Sequence, residues 1–206
     1  TQVNTTLANQ VAVAIQNARQ FELTQIRLQE VLATNAIADF VRESDSIEDM
    51  LENVMTVAYN SLGADNSIFS YYQADINEWQ GYVGFGEGVS SDIARTFIDP
   101  GDRYPHGMEA IETREIVTVE NVLTYEGFPL DFVENLGLKS VMVIPIIVDR
   151  DAIGVIFLNY NTTAHDFSDD DQRLARSIGN QISIGIQRQR SEEQVRQQTE
   201  IAQRRA

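Results

Sequence analysis

Residues 140–148 and 153–160 form two nearly unbroken apolar runs, parted by Asp149-Arg150-Asp151-Ala152. A strand with one wet face alternates apolar and polar residues, whereas a run without alternation is buried on both faces. A short polar turn between two such runs predicts an antiparallel hairpin at the heart of a sheet. The rest of the chain must then cover that sheet above and below. Pro145, inside the first run, marks an edge, a bulge or a position whose amide lacks a ladder partner.

The remaining elements follow from their periods. Ser44 or Ser46 caps a helix that carries Glu48 and Asp49 in its first turn. Ile47, Leu51, Val54, Met55, Ala58 and Leu62 give its buried stripe, and Gly63 ends it. Residues 67–72 and 78–85 read as a second hairpin around the polar turn 73–77. Residues 84–88 and 89–104 read as loop. A short helix around Met108 and Ile111, a strand at 116–119 and a helix over 128–136 follow. Ser168 opens the closing helix, whose face is Leu174, Ala175, Ile178, Ile182, Gly185 and Ile186.

Both ends of the chain are helical beyond what a domain of this size can bury. Residues 1–42 lack Gly and Pro, and Leu7, Val11, Ala14, Ala18, Phe21, Gln25, Leu28 and Leu32 alternate steps of four and three. That is a heptad seam interrupted only by Gln25, either a register-setting polar position or a solvent-facing one. A second set, Val31, Ala36, Ile37, Phe40 and Val41, continues at helical spacing toward the domain. Past Gln187 the closing helix is almost wholly polar, as expected of a helix leaving for a neighbouring domain. Residues 7–16 (LANQVAVAIQ) match residues 178–187 (IGNQISIGIQ) in register, with Asn, Gln, Ile and Gln identical. The N-terminus is therefore expected to be the closing helix of a preceding, similar domain. The division expected is 1–29 as a signalling helix from that domain, 30–190 as the domain itself, and 191–206 as the start of an outgoing helix.

Composition removes whole classes of function. The chain has no cysteine, which excludes disulfides, thiolate metal sites, a cysteine nucleophile and a thioether-linked cofactor. The formal charge is −16, and residues 45–134 hold eighteen acidic side chains against three arginines. A nucleic-acid or anionic-membrane face would need the opposite balance. With no spanning apolar stretch and no basic leader, the chain is expected to be cytoplasmic.

The order of elements, the segment Gly137-Leu138-Lys139-Ser140-Val141-Met142-Val143-Ile144-Pro145-Ile146 and the helix entry Phe167-Ser168-x-x-Asp171 resemble the GAF domains of bacterial signalling proteins, such as sensor kinases, over about residues 30–190. The resemblance implies an α+β fold: an antiparallel sheet of five or six strands, helices on one face and a ligand pocket on the other. It also implies parallel homodimers joined through long terminal helices, with the same chain's neighbouring domains as further partners. In the family's cyclic-nucleotide receptors an Asn-Lys pair precedes Phe-x-x-x-Asp-Glu. Here Leu158-Asn159-Tyr160 replaces the Lys, and Gln172 replaces the Glu, while Phe167 and Asp171 match.

By that analogy the pocket is expected between Ser67, Phe69 and Phe85 of the first hairpin, His106 and Gly107, and Phe128 and Phe132, with Ser140 and Asn159 adding polar contacts. The alternative is that these rings simply fill a core. His106, next to Pro105 at a helix start, is either a ligand contact or a solvated loop histidine. His165, beside Asp166, reads as a surface residue. No nucleophile, base and orienting group stand together, so the expected function is a non-catalytic sensory and dimerisation module. The alternative is a receptor for a small molecule of the cyclic-nucleotide type. The chain names no cofactor and no ligand.

Overall fold

The structure is a computed structural model that describes residues 2–205; the side chains of 2–10, 22, 23, 26, 29, 30, 202, 204 and 205 lie outside the description. Helix α1 (Gln2–Glu43) and helix α2 (Ile47–Leu62) precede strands β1 (Asn66–Gln73) and β2 (Glu78–Gly86). A short α3 (Ser91–Ala94), β3 (Ile98–Pro100), α4 (Pro105–Thr113) and β4 (Val117–Val119) follow. Helix α5 (Leu130–Leu136), β5 (Ser140–Val148), β6 (Asp151–Tyr160) and α6 (Asp169–Arg205) complete the chain.

Six strands form one sheet in the order β3-β2-β1-β6-β5-β4, every neighbouring pair antiparallel. The two apolar runs are β5 and β6, inside the sheet as their composition requires. Pairing between β4 and β5 stops at Val143, so Pro145 sits where β5 has lost its outer neighbour. Alternation sends Met142, Ile144, Ile146, Ile156 and Leu158 to one face, and Val141, Val143, Val155 and Phe157 to the other. The first set packs under α1, α2 and α6. The second meets a smaller cluster built from α4, α5 and the turns around them.

Local chemistry fixes the helix ends. The Ser46 hydroxyl accepts from the Asp49 amide at 3.0 Å, which starts α2, and Gly63 ends it at φ +64°. Ser168 and Asp171 bond reciprocally at the mouth of α6. Helices α1 and α6 run parallel: Thr34 lies 3.5 Å from Ser177, and Arg188 donates to the Arg42 carbonyl at 2.9 Å. Since α1 docks on α2 and α6 by its C-terminal part and α6 leaves the domain by its own, the two free ends project from opposite ends of the domain. Residues 11–21 and 191–200 are exposed throughout. Among the described residues no helix is long and apolar enough to cross a membrane.

Three expectations need correction. Residues 89–104 are not loop: they form α3, the edge strand β3 and a 3-10 turn at Gly101–Arg103. Helix α3 lies directly on β2, because Gly81 has no side chain there; a Cβ would stand 2.0 Å from the Ala94 carbonyl oxygen. Val31 does not dock α1 on the domain. It is exposed, and the docking residues are Ala33, Ile37 and Val41, with Phe40 half-buried. Ile47 is only half-buried, and Met50 takes the inward place beside Leu51.

Candidate functional site

The face of the sheet away from α1, α2 and α6 holds a cavity of about 140 Å³. Its floor comes from alternate strand positions: Ile68 and Ser70 of β1, Trp79 and Gly81 of β2, Phe157 and Asn159 of β6. Phe97 and Asp99 of the β3 segment and Tyr104 and His106 at the start of α4 form its side. Phe128, with Phe132 and Leu136 of α5, roofs it. Gly127 and Gly137, at φ +77° and +67°, allow the chain to turn sharply at both ends of that roof. Asp131 of α5 is ion-paired to Arg103, whose guanidinium also lies 5.3 Å from the Phe132 ring centroid.

Hydrogen bonds hold the walls. Trp79 Nε1 donates to the Gly101 carbonyl at 3.0 Å, and the Tyr104 hydroxyl donates to Asp99 Oδ2 at 2.6 Å. Burial and this bond to Asp99 push the Tyr104 phenol well above its usual pKa. Asn159 donates to Asn66 Oδ1 at 2.8 Å, so the two amides brace each other. Asp99 is the one carboxylate lining the cavity, and no Lys or Arg lines it. Among the described residues Asp99 makes no salt bridge.

His106 is not a solvated loop residue. Pro105 starts α4, and the imidazole of the next residue turns inward, stacks on Phe128 at 4.7 Å and is 3% exposed. Burial pushes its pKa down to about 3, so it is neutral, and its Nδ1 has no hydrogen-bond partner. Gly107 backs the cavity without lining it: a Cβ there would meet the Phe157 and Trp79 rings at 3.1 Å.

Of the residues expected at the pocket, His106, Phe128, Phe132 and Asn159 line it. Ser67, Phe69, Phe85 and Ser140 do not. Phe69 belongs to the cluster beneath the helices, and Ser67 shares its side of β1 by alternation. Phe85 packs edge-on against Tyr59 of α2 at 5.3 Å. Ser140 accepts from the His165 amide at 2.9 Å on the same side as Tyr160. His165 is half-buried, stacked on Tyr160 at 4.6 Å and 3.3 Å from Asp171. Trp79, Asp99, Tyr104 and Phe157 are cavity residues that the sequence reading passed over. Of the seam, Val11, Phe21, Leu28 and Leu32 are at least half exposed, Ala14, Ala18 and Gln25 are exposed, and the Leu7 side chain lies outside the described residues.

A six-stranded antiparallel sheet with helices behind it and an aromatic cavity in front defines a pocket-bearing α+β domain. Residues 46–186 match the GAF domain, and the chain belongs to that family, whose members are sensory and regulatory modules of signalling proteins. Solved structures share the fold. The GAF domain of an Acinetobacter phosphoenolpyruvate-protein phosphotransferase superposes with a TM-score of 0.67 at 15% identity, covering 80% of this chain and 97% of that one. The phycoerythrobilin-bound GAF domain of a cyanobacterial phytochrome gives 0.67 at 17% identity, covering 81% and 99%. Free methionine-R-sulfoxide reductase from Neisseria meningitidis, in complex with its substrate, gives 0.62 at 17%, covering 76% and 89%. Among curated proteins none matches the chain.

Proposed function

We propose that this domain is the non-catalytic sensory and dimerisation unit of a larger signalling protein, in which α1 brings in a conformational signal and α6 carries one out. The observation that carries this reading is the placement of the two free helices. They dock side by side, α1 on α2 and α6, and leave the domain at opposite ends, while α6 bears on β5, the pairing partner of the strand β6 whose other face floors the cavity. The exposed heptad seam supports a parallel homodimer along α1. The echo between residues 7–16 and 178–187 supports a tandem arrangement in which a closing helix runs on into the next domain's opening helix.

The cavity does not favour the cyclic-nucleotide alternative. A phosphate would find no Lys or Arg in the lining and one carboxylate opposing it. A tetrapyrrole, as in the phytochrome relative, would find neither a cysteine to attach to nor the room. The sulfoxide reductase relative is an enzyme, but the absence of cysteine leaves this chain without thiol chemistry.

Because the chain has no native cysteine, single-cysteine variants test the dimer cleanly. Ala14→Cys and Ala18→Cys should each form a disulfide between identical positions under mild oxidation. Combining Val11→Asp with Leu28→Asp should give monomers in sedimentation while the domain stays folded. A wild-type chain that sediments as a monomer at high micromolar concentration would sink the dimeric reading.

A further inference from the structure

We propose that the cavity takes a small organic cation, a protonated or quaternary amine no larger than a single ring, with Asp99 as its counter-ion and Trp79, Tyr104 and Phe132 as its walls. This rests on reading the cavity as the sensory site.

Size sets the first limit. At about 140 Å³ the cavity is close to an engineered protein cavity of about 150 Å³ that holds benzene. A one-ring amine or a tetraalkylammonium group fits; a nucleotide does not.

Charge sets the second. Asp99 is half-buried, lines the cavity and is held by the Tyr104 hydroxyl, yet it has no cationic partner among the described residues. The neighbouring Arg103 is committed to Asp131. His106, the one basic side chain in the lining, is kept neutral by burial, so it does not repel a cation. A neutral ligand would take still more water from Asp99 and offer it no countercharge, which is unfavourable for a carboxylate in an apolar setting. An anion would face that carboxylate directly.

The walls agree. Aromatic faces attract cations through the negative side of the ring quadrupole, and desolvation strengthens the attraction. A cation–π contact already stands at the rim, where Arg103 lies over Phe132. The acidic excess across residues 45–134 would raise the local concentration of cations.

The test uses three probes of one size and shape: benzylammonium, benzyl alcohol and benzoate. Trp79, the single tryptophan, lines the cavity and reports occupancy by fluorescence. Benzylammonium should bind the wild-type chain at least about tenfold more tightly than benzyl alcohol, with benzoate weakest. Asp99→Asn should abolish that preference. Asp102→Asn, which changes an exposed neighbour by the same charge, should preserve it. Equal affinity for benzylammonium and benzyl alcohol overturns the cationic ligand and leaves the cavity as the sensory site. So does an unchanged preference in a folded Asp99→Asn variant. If none of the three perturbs Trp79 at millimolar concentration, the reading of the cavity as the sensory site fails as well. The three-probe comparison on the wild-type chain holds whether or not the variant folds.

Discussion

His106 is an ionisable group held where it cannot ionise, and this makes the stability of the domain depend on pH in a defined window. Its ring contacts Phe128 at 4.7 Å and Phe157 at 5.5 Å, with Tyr104 and Tyr125 further out. Two carboxylates are connected to these rings: Asp99 accepts from the Tyr104 hydroxyl at 2.6 Å, and Glu109 from the Tyr125 hydroxyl at 2.5 Å. Burial lowers the folded-state pKa from 6.5 to about 3. Between these values the unfolded chain binds a proton that the folded chain refuses. The stabilisation is therefore complete above pH 6.5 and declines as the pH falls, by about 1.4 kcal/mol per unit. At pH 5 the loss from this one group is about 2 kcal/mol. The assay is urea unfolding of the wild type and of His106→Phe from neutral pH to pH 5. The other ionisable groups are common to both proteins, so their contributions cancel in the difference. Phe keeps the stack on Phe128 and removes an imidazole nitrogen that has no partner to lose. The stability of the variant relative to the wild type should therefore climb by about 2 kcal/mol across that range, whatever their offset at neutral pH. Parallel curves would refute the claim that the ring is buried and neutral.

Phe157 floors the cavity and closes the second core cluster, so Phe157→Ala should cost about 3–5 kcal/mol in the same assay. A loss below about 1 kcal/mol would mean that β6 does not present this ring to the interior. Gly81→Ala places a Cβ 2.0 Å from the Ala94 carbonyl oxygen and should cost about 1–3 kcal/mol or more, seen as a lowered urea midpoint. A neutral outcome would show that α3 does not lie on β2 at that distance.

Elements whose period and ends agree were legible in the sequence. The hairpin of β5 and β6 announces itself because burial on both faces removes every polar residue from its middle. Helix α2 is bounded by a serine cap and a left-handed glycine, each a local interaction that needs no tertiary information. Strand β3 was not legible because three residues, Ile98–Pro100, carry no period, and it exists only through pairing with β2. The same dual burial that reveals a central strand hides which face each residue takes. In β1, Ile68 and Ser70 look into the cavity while Phe69 looks under the helices, although the more aromatic side was expected to face the ligand. A register shift between Phe69 and Ser70 disturbs the pairing further. The sequence leaves His106 open between a pocket contact and a solvated loop residue for a related reason: Pro105 announces a helix start, but only Phe128, twenty-two residues on, supplies the ring on which the imidazole stacks.

The signalling proposed here depends on how little space separates the two faces of one hairpin. Phe157 touches the cavity, and its neighbours Ile156 and Leu158 point the other way, into the cluster beneath the helices. On β5, Ile144 lies against Gly179 of α6, where a Cβ would stand 2.9 Å from its Cγ2. The Ile147 amide donates to the Ser183 hydroxyl at 3.1 Å. Close-packed interiors transmit displacement instead of absorbing it. A ligand that moved the Phe157 ring would act on a strand paired along its length with β5, and β5 bears directly on α6. Gly179 permits that close bearing, because a helix with any side chain there would stand further from Ile144. Beside the apolar packing of Ile178 and Ile182, this backbone approach and the Ser183 hydrogen bond hold α6 to β5 within about one turn. On the proposed reading, a small shift of β5 would change how α6 sits before the helix leaves the domain.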